Sequence, residues 1–109
     1  MKYPETERQG FIIISLVGEV DLNYSPTARQ QILKALNQGK AVLVDLSQVI
    51  YIDSSGVASL VEGFQVARQQ KQFFALIGVS RAAMQVLQLA RLDQVFPIYD
   101  TIDAAAAAK

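Results

Sequence analysis

Asp53-Ser54-Ser55-Gly56 is the one place in this sequence where a carboxylate, two hydroxyls and a residue without a side chain stand together. What surrounds them defines what they can do. A dense apolar run, Ala41 to Leu46, precedes them and continues through Val49-Ile50-Tyr51-Ile52; it is rich in strand formers and too short for a helical pattern. After Gly56 the apolar period changes, and Val57, Leu60, Val61, Phe64 and Ala67 fall on one stripe at helical spacing. The polar group therefore sits where a strand hands over to a helix. The first N–H groups of a helix lack partners and carry the positive end of the peptide dipoles. Asp and Ser oxygens accept those bonds, and the same spot tolerates an anion, including a phosphate esterified to serine. Gly56 lets another backbone or a protein partner come close. A plain helix cap would need only one such side chain; three before a glycine argue for more than a cap.

The remaining elements must position that junction. Lys2 to Gln9 is polar and reads either as a short edge strand or as a frayed arm. Phe11 to Val17 is a β-branched strand that ends in Gly18-Glu19-Val20-Asp21. Ser25-Pro26 predicts a helix start with Ser25 as N-cap, followed by a stripe of Ala28, Ile32, Ala35 and Leu36 and a stop at Asn37-Gln38-Gly39. Phe73 to Val79 is a third apolar strand. Ser80 caps a helix reaching about Ala90, with Ala83, Met84 and Leu87 turned inward. Val95 to Tyr99 is a short strand placed at a sheet edge by Pro97, which cannot donate a ladder bond. Thr101 opens a last, alanine-rich helix, Ile102 to Ala108, expected to be solvated or lightly docked. Strands separated by single helices pair in parallel. The expectation is one α/β domain over residues 1–109, with a mixed, largely parallel sheet of four to five strands and about four helices. In such sheets functional groups gather at the carboxyl ends of strands, which puts Glu19, Asp21, Asp53, Ser54 and Ser55 on one edge.

Composition removes whole classes of function. The 109 residues suffice for one domain with a modest core. Ten Lys and Arg balance ten Asp and Glu, and the basic residues are scattered, so no field draws nucleic acid or anionic lipid. With no cysteine and no histidine, disulfides, thiolate metal sites and the commonest general base are absent. No apolar run approaches the roughly 20 residues that span a bilayer. A soluble, cytoplasmic domain without cofactor, metal or direct membrane insertion is the expectation. A serine nucleophile would need a base that nothing here supplies, and the glycine-rich phosphate motifs are missing. Glu19, Asp21, Asp45 and Asp53 read as cap and turn residues in preference to a Mg²⁺ cluster. Phe64, Phe73 and Phe74 read as core. The chain is not expected to be an enzyme.

Gly18-Glu19-Val20-Asp21, Val44-Asp45-Leu46-Ser47 and Tyr51-Ile52-Asp53-Ser54-Ser55-Gly56-Val57 resemble the STAS domain of anti-sigma factor antagonists; Leu76-Ile77-Gly78-Val79-Ser80 and Leu92-Asp93-Gln94-Val95-Phe96 continue the resemblance over nearly the whole chain. It implies a cytoplasmic binding module whose partner is an anti-sigma factor with serine-kinase activity. It implies further that Ser55 is the phosphorylated hydroxyl, that phosphorylation breaks the complex, and that a PP2C-type phosphatase restores it. Asp21, Asp53, Ser54 and Gly56 would surround that serine in the partner-binding site. Two positions depart from the family pattern: Ala90-Arg91-Leu92 before the final strand and Gln70-Lys71-Gln72 after the central helix, where many members carry glycine. The same fold also serves as a cytoplasmic subunit of ABC-type lipid transporters, where the motif would touch the ATPase subunit without being phosphorylated. That is the alternative reading.

Overall fold

A computed structural model describes residues 2–109 of the chain. Five strands form one sheet in the order β1-β2-β3-β4-β5. β1 (Glu5–Arg8) pairs antiparallel with β2 (Phe11–Val20), and β3 (Ala41–Ile52), β4 (Phe74–Ile77) and β5 (Ile98–Tyr99) follow in parallel. α1 (Ser25–Asn37), α2 (Ser54–Gln69) and α3 (Arg81–Leu89) connect the parallel strands, and α4 (Ile102–Ala108) ends the chain. The N-terminal segment is thus an edge strand. Its two-residue hairpin places Gln9 and Gly10 at φ 53° and 84°, the left-handed pair that matches strand twist. Upstream, the buried Gln31 of α1 accepts the N–H of Tyr3 at 2.8 Å and donates to its carbonyl at 3.0 Å, so the arm is pinned to the helix.

Strand side chains alternate, and both faces are covered. Ile12, Ile14, Leu16, Val42, Val44, Leu46, Phe74 and Leu76 face α1, α2 and α3 in the main core. Phe11, Ile13, Ala41, Leu43, Ala75 and Ile77 form a second cluster on the opposite face. Each large side chain so buried contributes about 1.5–3 kcal/mol. α4 closes this second cluster: Ala105 is fully buried, and Ile102 and Ala106 pack beside it. The alanine-rich helix is therefore docked, not solvated, because only small side chains let so short a helix lie close on the strands. It reaches only the first half of that face. Farther along, Val17, Ile50 and Tyr51 remain 47%, 69% and 50% exposed.

Other expectations shift in detail. Ser25 is not the cap of α1. The Asp21 carbonyl accepts the N–H groups of Tyr24 and Ser25 at 3.0 and 2.7 Å, which starts the turn early; Tyr24 occupies the cap position and Ser25 is already helical and buried. Ser80 and Thr101 do cap α3 and α4, accepting from Ala83 and Ala104. Met84 is only half-buried, while Ala83 and Leu87 are fully inside. The segment at Val95 supplies a strand only at Ile98–Tyr99; a 3-10 turn, Leu92–Gln94, comes first and carries Phe96 into the core. Phe64 packs against Phe74 and Phe96 at ring separations of 6.2 and 5.4 Å, and Phe73 against Phe11 at 5.7 Å. No helix among the described residues is long and apolar enough to cross a membrane.

Candidate functional site

β2 and β3 outrun the rest of the sheet. β4 pairs with β3 only from Val42 to Asp45, whereas β2 stays with it to the Val20–Ile52 pair, through register shifts after Ser15 and Gly18. The two strand ends therefore deliver their following loops side by side, and Glu19 lies opposite Tyr51. The Asp53 N–H reaches back to the Val20 carbonyl at 3.4 Å. The shared edge expected for Glu19, Asp21, Asp53, Ser54 and Ser55 is formed in this way.

Asp53 is the N-cap of α2 and the centre of the site. Its Oδ1 accepts the Ser55 N–H at 2.9 Å, the Gly56 N–H at 3.1 Å and the Ser55 hydroxyl at 2.5 Å. The Ser55 hydroxyl, then the Gly56 N–H, with smaller help from the N–H groups of Ser55 and Leu22, hold the Asp53 carboxyl below its usual range against a weaker desolvation effect. Ser55 is half-buried, and Ser54, the first helical residue, is exposed. Asp21 accepts the Asn23 N–H at 3.0 Å and shapes its own loop. Asp45 lies elsewhere, accepting the Ser47 N–H at 2.8 Å as a turn residue. Among the described residues no group of three or more carboxylate, histidine or cysteine side chains could hold a metal ion.

Gly56 is buried against its own fold. A Cβ there would meet the Val20 carbonyl oxygen and Ile52 Cγ1, each at 2.6 Å. The close approach foreseen for position 56 is made by the chain's own β2. Sequence reasoning missed Ser59, whose buried hydroxyl donates to the carbonyls of Ser25 and Ser55 at 3.2 Å and joins α2 to α1. It also missed the exposed apolar residues beside the site, Val17, Leu22, Tyr24, Ile50 and Tyr51. In sequence these resemble core positions; Leu22 and Tyr24 lie in the turn and cap before α1, and Val17, Ile50 and Tyr51 lie beyond the reach of α4.

The depressed Asp53 carboxyl makes a measurable contribution. A group whose folded pKa lies below its unfolded value stabilises the fold above the ordinary carboxyl value of 3.8 and loses that contribution as pH falls through the lower folded value. Asp53→Asn keeps an oxygen that can accept the cap bonds but loses the charge, so it is expected to lower the melting temperature at pH 7 and to narrow its gap from wild type below pH 4. Thermal melts from pH 7 to 2 check this; a gap that did not close in acid would mean that the carboxylate charge is not what holds the cap.

The STAS domain family model matches residues 3–105, and the chain belongs to that family. Over 94 residues it is 27% identical to the anti-sigma F factor antagonist of Paenibacillus polymyxa, covering 84% of this chain and 80% of that one. A STAS domain protein from Planctomyces limnophilus superposes with a TM-score of 0.87 at 27% identity, covering 99% and 97% of the two chains. An anti-sigma factor antagonist from Mycobacterium paratuberculosis does so at 0.86 and 26%, covering 98% and 92%.

Proposed function

We propose that this chain is an anti-sigma factor antagonist: a binding module that sequesters an anti-sigma factor with serine-kinase activity while Ser55 is unmodified and releases it once Ser55 is phosphorylated. The observation that carries this reading is the junction at α2, where a half-buried serine hydroxyl, held by the N-cap Asp53, sits at a helix N-terminus beside an exposed apolar surface. A kinase finds there a fixed hydroxyl, and a partner finds apolar area to bury at Leu22 and Tyr51. The names of the relatives point to the same role. Binding also fits the chemistry better than catalysis does, since a carboxylate held at low pKa is a weak general base at neutral pH.

Phosphorylation would act on association more than on shape. It adds about −1.5 to −2 charge and removes the hydrogen that joins Ser55 to Asp53. The backbone N–H groups of Ser55 and Gly56 still hold Asp53, and the helix dipole tolerates the new charge. Between the two packed surfaces the phosphate would lie against Asp53 and be repelled. A PP2C-type phosphatase would reset the module.

The test is affinity capture from host extract and solubilised membranes with wild type and Ser55→Asp as baits. Wild type should recover an anti-sigma factor kinase that Ser55→Asp does not retain, and that kinase should label Ser55. Recovery of an ABC ATPase with its permease, unaffected by Ser55→Asp, would overturn the proposal in favour of a transporter subunit.

A further inference from the structure

α3 carries more apolar surface than its seat on the sheet consumes. Ala83 and Leu87 face the core and are fully buried. Val86, Leu89 and Ala90, three and four residues apart, form a second stripe along the same helix. With Val57, Ala58 and Val61 of α2 this stripe lines an open groove of about 820 Å³ between the two helices. Leu89 stands on its lining at 87% exposure, more than any other large apolar residue among those described. The two walls differ in charge. Glu62 lines the α2 wall, and Arg91 follows directly on Ala90 at the end of α3. Arg91 is exposed and its backbone is left-handed, φ 60°, a conformation that costs an arginine and would cost a glycine nothing.

We infer that this groove is the contact of a homodimer, in which the last turn of α3 of one copy lies in the groove of a second copy with Leu89 as the knob. Shape selects the occupant. Whatever covers the groove must also receive the leucine that projects from it. A lone apolar helix of another protein would fill the groove and leave Leu89 in water. A second copy offers a leucine for the groove and a groove for the leucine, so a two-fold axis satisfies both sides at once. Charge agrees with shape. Two-fold pairing sets the Arg91 end of one α3 against the Glu62 wall of the other, and makes that contact twice. Arg29 grips the Glu62 carboxylate at 2.7 and 2.8 Å and fixes its place on the wall; its remaining lone pairs can accept a further guanidinium. The patch is small, so the dimer is a weak one, with a dissociation constant of roughly 10–100 µM. It uses neither the carboxylates after β2 nor any change at Ser55.

Sedimentation equilibrium of the purified chain, at concentrations that bracket this constant, tests the contact. Wild type should pass from monomer to dimer, with concentration-dependent ¹H–¹⁵N NMR shifts at Ala58, Val61, Glu62 and Val86. Leu89→Asp changes a side chain that the core does not use, so it should leave the spectrum folded and remove the dimer. Arg91→Gly should pull stability and association in opposite directions. Its melting temperature in dilute solution should rise by a few degrees as the left-handed strain is relieved, while dimerisation weakens about tenfold. An arginine with only a structural role would not separate the two. A chain that stays monomeric throughout, a dimer that Leu89→Asp leaves intact, shifts confined to Val17, Ile50 and Tyr51, or an Arg91→Gly dimer as tight as wild type would each overturn the inference.

Discussion

Alanine at position 56 is expected to destabilise the domain by about 3 kcal/mol, the cost of forcing an extra carbon into a closed core. The obstacle is backbone. The new Cβ would lie 2.6 Å from the Val20 carbonyl oxygen, and the second contact, Ile52 Cγ1, belongs to a side chain only 2% exposed. Neither can give way cheaply, so the first turn of α2 must lift from β2. For a domain whose total stability is about 5–15 kcal/mol, that loss should appear as a fall in melting temperature of roughly 10–20 °C. The same displacement moves Asp53 and Ser55, so partner binding should weaken with stability. Calorimetry of Gly56→Ala decides: a melting temperature within a couple of degrees of wild type would mean that α2 is not seated on Val20 as described.

Phosphorylation of Ser55 is expected to weaken the anti-sigma factor complex by more than about a hundredfold, equivalent to about 3 kcal/mol of lost binding energy. The physical cause is local. In the free protein the phosphate has solvent on one side and the N-terminus of α2 on the other. In the complex the solvent is gone and the Asp53 carboxylate remains. Melting of the phosphorylated protein should therefore shift little while isothermal titration shows the loss. Ser55→Ala gives up the 2.5 Å bond to Asp53 but retains the backbone N–H bonds of the cap, so it should fold, bind and resist phosphorylation. Unchanged affinity of the phosphorylated protein would sink the electrostatic switch. Phosphopeptides mapping to Ser54 would transfer the acceptor role to the exposed hydroxyl next to it.

Much of this arrangement is determined locally and was therefore legible in the residues. β-branched runs at Phe11 and Ala41 can satisfy their backbone and bury their side chains only as strands, and the apolar period after Gly56 can form one buried stripe only as a helix. Ser80 and Thr101 cap because a hydroxyl before a helix accepts an orphan N–H whatever the rest of the fold does. The polar junction at Asp53-Ser54-Ser55-Gly56 is of the same kind: its neighbours in sequence make it a helix entrance. Ser25 shows where local rules stop, since its cap position was taken by a turn that the Asp21 carbonyl sets up three and four residues ahead.

The tertiary structure alone decided which apolar residues stay outside. Val17, Ile50 and Tyr51 carry the same chemistry as their buried neighbours, but the short reach of α4 leaves them exposed. Pairing also chose the neighbour of Gly56: no property of the glycine names the Val20 carbonyl as the group pressed against it. The seat of the N-terminal arm arises likewise, because Gln31 clamps Tyr3, distant in sequence, onto α1. The sequence by itself determined the elements and the polar junction, through forces that act over a few residues. Only long-range strand pairing and helix packing decided which surfaces lie beside that junction.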